Sequence, residues 1–134
     1  MKKFKSNNNI VYSCTYHVVW VTKYRKKYLT GAIEKRLKDI CCQVAEECHF
    51  DIKELECDQD HIHLLLEVDP QFGVHKAIKL MKGRSSFLLR KEFPILRQRL
   101  PTLWTNSYFV STVGGAPMAV IKQYIAAQKL RAAH

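Results

Sequence analysis

No apolar run in this sequence reaches the roughly 18 residues that a membrane-spanning helix needs, so a membrane protein of that kind is not expected. A secretory leader is not expected either. Met1-Lys2-Lys3 is a basic start, but Ser6-Asn7-Asn8-Asn9 stands where an apolar segment should begin, and the chain reads as cytoplasmic. Cysteine occurs five times, an odd number, with no Cys-x-x-Cys spacing, which argues for reduced thiols over a disulfide framework or a zinc knuckle. No repeat, linker or low-complexity stretch divides the 134 residues, so one domain over 1–134 is expected. Acidic residues are in short supply: 12 Asp and Glu stand against 22 Lys and Arg, a net charge of +10. That surplus favours a polyanionic partner, nucleic acid before membrane, because no basic amphipathic anchor stands out.

The most informative feature present is His61-Ile62-His63, within Asp58-Gln59-Asp60-His61-Ile62-His63-Leu64-Leu65-Leu66-Glu67-Val68. On a β-strand, residues two apart share a face. The two imidazoles then project together, and Ile62, Leu64, Leu66 and Val68 form an apolar row on the other side. Neutral imidazole is a common metal ligand, so the spacing marks a candidate metal site; two surface histidines without a role have the same spacing.

A coarse pass places the pair in a fold. Ile10 to Val21 reads as a strand with Tyr12, Cys14, Tyr16, Val18 and Trp20 on one face and Ser13, Thr15 and His17 on the other. A basic turn follows, Lys23-Tyr24-Arg25-Lys26-Lys27-Tyr28. Thr30-Gly31 opens a helix with Ile33, Leu37, Ile40, Cys41, Val44 and Cys48 at helical spacing. Phe50 to Cys57 reads as a half-exposed strand, joined to the histidine strand through Asp58-Gln59-Asp60. Pro70 to Gly73 ends that hairpin. A second helix carries Val74, Ala77, Ile78, Met81, Ser85, Leu88 and Leu89 on one stripe. Pro94 and Pro101 bracket a short helical piece. Ser107 to Val113 is a further strand, Gly114-Gly115 a turn, and Pro117 suits the first turn of a last helix running to about Leu130. The class is α+β. The order β-α-β-β-α-β predicts a ferredoxin-like or RRM-like antiparallel sheet, with two helices on the face of Ile62, Leu64 and Leu66 and the histidines on the open face.

In the last helix Tyr124 and Gln128 are four apart and share a face, beside a packing stripe of Met118, Ile121 and Ile125. Taken alone, a helical tyrosine is more often a packing aromatic than a nucleophile. Together with the other motifs, however, the chain resembles a known family over nearly its whole length: the HUH single-tyrosine, TnpA-type transposases of small insertion sequences that move as single-stranded DNA. The resemblance rests on Tyr16-His17-Val18-Val19-Trp20 with Lys23-Tyr24-Arg25, on Asp60-His61-Ile62-His63, and on Lys82-Gly83-Arg84-Ser85-Ser86. Trp104-Thr105-Asn106-Ser107, Ser111-Thr112-Val113-Gly114-Gly115 and Tyr124 with Gln128 complete it.

The resemblance implies an enzyme that binds DNA hairpins at element ends and cuts and rejoins single strands through a 5′-phosphotyrosine intermediate. It implies that Tyr124 is the nucleophile and that His61, His63 and Gln128 ligate a divalent metal. Mixed nitrogen and oxygen donors suit Mn²⁺, with Mg²⁺ the weaker binder. Homodimers are expected, with the tyrosine helix able to serve the partner's histidine pair. Lys23, Arg25, Lys26 and Lys27, interleaved with Tyr24 and Tyr28, are candidate DNA contacts, as are Lys82, Arg84 and Ser85 in the second helix. His17 is a candidate base for the phenol, with a hydrogen-bonding role the alternative. The sequence stops at His134, where relatives of this kind often carry a longer tail, and a loosely docked tyrosine helix is expected from that. The competing readings are a catalytically silent ferredoxin-like nucleic-acid-binding protein, a relaxase-like nickase and a hydrolytic metal nuclease.

Overall fold

A computed structural model describes residues 5–6, 10–112 and 118–133, with the side chains of 118–119 and 129–133 excepted. In chain order the elements are β1 (Lys5–Ser6), β2 (Val11–Tyr12), β3 (Thr15–Val21), a 3₁₀ turn (Lys23–Arg25) and α1 (Gly31–Cys48). There follow β4 (Asp51–Cys57), β5 (His61–Glu67), α2 (Val74–Glu92), α3 (Pro94–Arg99), β6 (Phe109–Thr112) and α4 (Met118–Ala133). The expected turn at Gly114-Gly115, the helix start at Pro117 and the Met118 side chain lie outside the described residues.

Four strands form one antiparallel sheet in the order β4-β5-β3-β6. The β-α-β-β-α-β expectation therefore holds, and the histidine strand is an interior one, paired on both sides. The single strand expected from Ile10 to Val21 is instead broken. Val11–Tyr12 pairs with Lys5–Ser6 in a separate ribbon, and the main-sheet strand begins only at Thr15. At Cys14 the chain turns to pair differently: its carbonyl accepts from the amide of Val68, just past the end of β5.

The core forms where the alternation places it. Ile62, Leu64 and Leu66 on β5 and Val18 and Trp20 on β3 are fully buried. They pack against Leu37, Ile40, Cys41 and Val44 of α1 and Ala77, Ile78, Met81 and Leu89 of α2. Each large side chain removed from water in this way contributes about 1.5–3 kcal/mol. Trp20 meets Trp104 edge-on, at a centroid distance of 5.9 Å and 82° between planes. None of the five cysteines is bonded to another; Cys41 is buried in the core and Cys42 exposed.

The other face of the sheet is less open than expected. Val19 and Val21 point to it, and both are fully buried. They are apolar and need cover, which α4 supplies by packing on β3 and on the 3₁₀ turn. Among the described residues no helix is long and apolar enough to cross a membrane.

Candidate active site

The histidines sit on the α4 side of the sheet. His63 lies opposite Val19 of β3 and Glu56 of β4, and Val19 lies opposite Phe109 of β6. Directly paired residues share a face, so Glu56, His63, Val19 and Phe109 form one row across the sheet. His61 is one step nearer the strand end, opposite Val21. A cleft of about 520 Å³ opens over the pair, bounded by Arg25, Glu56 and Asp58 and roofed by Ile121, Lys122, Ile125 and Ala126 of α4.

Both imidazoles are oriented by partners. His61 Nδ1 is 2.8 Å from Asp60 Oδ1, and Arg25 Nε donates to Asp60 Oδ2 at 2.9 Å. Asp60 is itself buried. Burial pushes its carboxyl up, but the hydrogen bonds from His61 and Arg25 together outweigh it, and the group lies below the usual carboxylate range. An ionised Asp60 holds the Nδ1 proton of His61 and leaves Nε2 as the atom free to ligate, the carboxylate–histidine arrangement common around metals. His63 Nε2 is 3.2 Å from His17 Nδ1. Burial, followed by the neighbouring His17, lowers the His63 pKa, which favours its neutral form. Of its two expected roles, His17 takes up hydrogen bonding here.

This donor set fits a divalent cation in chemistry: two imidazoles on one face of a strand, one with a carboxylate behind it. Among the described residues no three His, Cys, Asp or Glu side chains converge as a metal site, so such an ion needs a donor of another kind. Cys57 lines the cleft, yet burial pushes its thiol up to about 12, which makes it a poor ligand near neutral pH.

Tyr124 and Gln128 do share a face of α4, and one residue joins them. Ser107 Oγ is 2.9 Å from the Tyr124 hydroxyl and 3.2 Å from Gln128 Oε1. The Tyr124 ring lies against Phe109, centroid to centroid 5.8 Å. Gln128 is buried and Tyr124 half-buried. Both therefore address β6 and the segment before it, whereas the histidines are on β5, across β3. Two strand spacings separate those rows, about 10 Å. Other residues of α4 look into the histidine cleft.

The basic residues divide into engaged and free. Arg25 is committed to Asp60, and its φ of 49°, like the 58° of Tyr24, is left-handed, a conformation that aims the Arg25 side chain back at the site. Lys26 and Lys27 are exposed, and Lys23 Nζ stands 5.3 Å over the Tyr24 ring. In α2, Lys82 Nζ donates to the carbonyls of Thr105 at 2.7 Å and Ser107 at 3.0 Å. Burial lowers its pKa to about 8. Arg84 pairs with Glu47, and the buried Ser85 accepts from Trp104 Nε1 at 3.0 Å. Sequence reading missed Glu56 and Ser107 as site residues. The hairpin register through Asp58–Asp60 would have placed Glu56 beside His63; nothing in the spacing of Ser107 points to Tyr124.

Known proteins share this sequence and fold. A profile described as "Transposase IS200 like" matches residues 10–128. The ISDra2 transposase TnpA of Deinococcus radiodurans is 34% identical over 128 residues, covering 94% of this chain and 91% of that protein. The transposase of insertion sequence element IS200 from Salmonella typhimurium is 35% identical, covering 90% and 80% respectively. A crystal structure of a Deinococcus radiodurans R1 protein assigned to the transposases superposes with a TM-score of 0.85 at 36% identity, over 92% of this chain and 97% of that one. A REP-associated tyrosine transposase, solved bound to a REP hairpin, shares the fold at a TM-score of 0.55 and 14% identity, over 84% of this chain and 62% of that one. With a matching profile across most of its length and relatives above one-third identity over nine-tenths of it, the chain belongs to the IS200-like transposases.

Proposed function

We propose that this transposase acts in the cytoplasm on single-stranded DNA, binding hairpins at the ends of its element and cutting and rejoining strands through Tyr124. The observation that carries the reading is the pairing of Tyr124 and Gln128 on one hydroxyl, beside a cleft floored by two imidazoles that partners orient. A hydrolytic nuclease has no use for a phenol held in this way.

The chemistry is a transesterification. The Tyr124 oxygen attacks phosphorus, the bond to the 3′ oxygen breaks, and the phenol proton ends on that oxygen. The products are a 5′-phosphotyrosine and a free 3′-OH, and attack by a 3′-OH reverses the step, so the bond energy is kept for rejoining. His61, His63 and Gln128 would hold Mn²⁺ or Mg²⁺, which when bound neutralises and orients the scissile phosphate. Asp60 fixes the His61 tautomer, and Arg25 holds Asp60 ionised.

Tyr124 and the histidines stand about two strand spacings apart, so this reading requires α4 to re-dock. It docks either over its own histidine pair or over that of a second copy in a homodimer. Since Tyr124 and Gln128 share a face, either movement carries nucleophile and third ligand together. The solved relative bound to a REP hairpin lends a precedent for hairpin DNA on this fold.

The test is a covalent adduct. Single-stranded DNA from the regions flanking the gene is incubated with protein and Mn²⁺ or Mg²⁺ and resolved under denaturing conditions. An adduct abolished by chelator and by Tyr124→Phe is expected. DNA binding without an adduct under either metal would replace the reading with a silent DNA-binding protein.

A further inference from the structure

A second cleft, of about 440 Å³, lies between α2 and residues 102–108, away from the histidine pair. That volume falls within the roughly 300–1,000 Å³ typical of small-ligand sites. Its lining includes His75, Lys79, Lys82 and Gly83 from α2, with Asn106 and Tyr108 opposite, and no carboxylate among the described lining residues. Lysines, neutral hydrogen-bonding groups and an aromatic wall without an acid suit an anion that also has a flat or apolar part. The aromatic wall is pre-formed: His75 Nδ1 is hydrogen-bonded to the Tyr108 hydroxyl, with the rings 5.7 Å apart and 30° between planes.

Gly83 is the unexpected member. It stands in the interior of α2, where glycine is among the least favourable residues. Its backbone is not left-handed, and among the described residues a β-carbon built on it meets nothing within 4 Å. Neither backbone strain nor a neighbouring atom of the described residues accounts for the missing side chain. The space above it belongs to the cleft.

We propose that this cleft seats one nucleotide of the DNA substrate, and that Gly83 lacks a side chain so that the sugar–phosphate can lie directly against α2. Lys79, exposed at the rim, meets the phosphate, and the Tyr108–His75 wall faces the sugar or base. The three residues expected from the sequence to contact DNA here are also held within the protein: Lys82 by the 105–107 segment, Arg84 by Glu47, and Ser85 by Trp104. Glycine, rather than its charged neighbours, opens the surface. The inference rests on the DNA binding that the family brings and is independent of the tyrosine chemistry.

The test uses the full chain and fluorescently labelled single-stranded oligonucleotides from the flanking DNA. Gly83→Ala should raise the melting temperature by about 3–5 °C through helix propensity alone, while weakening DNA binding at least fivefold. Gly83→Leu should weaken it at least twentyfold. Both should keep the wild-type dependence of affinity on salt, because no charge is removed, whereas Lys79→Ala should lower that slope by about one. Wild-type affinity in Gly83→Leu would overturn the proposal. So would weaker binding by Gly83→Ala that comes with a lowered melting temperature, because the loss would then be one of folding. Failure of the wild-type protein to bind any of the oligonucleotides would overturn it together with its premise of DNA binding. Loss of the adduct in the Tyr124 assay alone would leave the DNA-binding result to decide.

Discussion

The hydroxyl of Ser107 lies 2.9 Å from that of Tyr124, and the same oxygen lies 3.2 Å from the Gln128 side-chain carbonyl. One small side chain thus anchors the two residues of α4 on which the proposed chemistry depends. Ser107→Ala removes both bonds. At a net 0.5–1.5 kcal/mol for a typical hydrogen bond, the docked position of α4 should weaken by about 1 kcal/mol. The expected result is amide hydrogen exchange about fivefold faster throughout α4, with exchange in β5 unchanged. Unaltered exchange in α4 would show that Ser107 does not hold the helix.

Asp60 makes a second prediction. Asp60→Asn keeps the shape but removes the charge that fixes the His61 proton on Nδ1. Loss of such a partner typically costs 10–100-fold in metal affinity, to be read by titrating the protein with Mn²⁺ followed by electron paramagnetic resonance. The acid limb of stability should change too. The folded pKa of Asp60 is depressed, so its contribution is present above the ordinary carboxylate range and is lost as pH falls through the folded value. The stability gap between wild type and Asp60→Asn should therefore narrow on acidification, by urea unfolding below about pH 4.

Lys82 behaves in the opposite sense. Its folded pKa of about 8 lies below the ordinary 10.5. Between those values the unfolded chain binds the extra proton, so this group adds stability as pH rises. Wild type should gain on Lys82→Met from pH 8 to pH 10 in parallel thermal melts, and an unchanged difference would show that the ammonium is not desolvated.

Ser85→Ala separates a folding role from a DNA-binding one. It strands the indole N–H of the buried Trp104, which costs about 1–3 kcal/mol. The expected outcome is a lower urea midpoint with DNA affinity unchanged. A loss of affinity at unchanged stability would make Ser85 a DNA contact.

The sheet and its two core helices were legible because apolar periodicity is strong there. Ile62, Leu64 and Leu66 alternate on β5, and Leu37, Ile40, Cys41 and Val44 repeat at helical spacing on α1. The histidine pair was legible for the same reason, since period two places both imidazoles on one face. The break after Tyr12 was not, because β-branched and aromatic residues continue through Val11–Val21 and nothing local marks where pairing changes partner. The tasks of Lys82, Arg84 and Ser85 were also hidden. Each is set by a residue at least 19 positions away, Thr105, Glu47 and Trp104 respectively, and composition cannot distinguish a lysine bound to carbonyls from one facing solvent. Ser107 was hidden because its meaning depends on where α4 lands.

The histidine strand is gripped by a neighbour on each side, and its two faces are interlocked by the pleat. Slipping β5 by one residue against β3 would turn His61 and His63 into the interior and Ile62, Leu64 and Leu66 out to solvent. There is thus no partly misregistered form that keeps the site, and none that keeps the core. A mutational screen that selects only for survival of the folded state will hold, on this strand, the register that puts positions 61 and 63 on one face, whichever side chains stand there. Substitutions at Ile62, Leu64 and Leu66 should therefore cost folding and chemistry together, whereas those at His61 and His63 should cost chemistry while the fold stands.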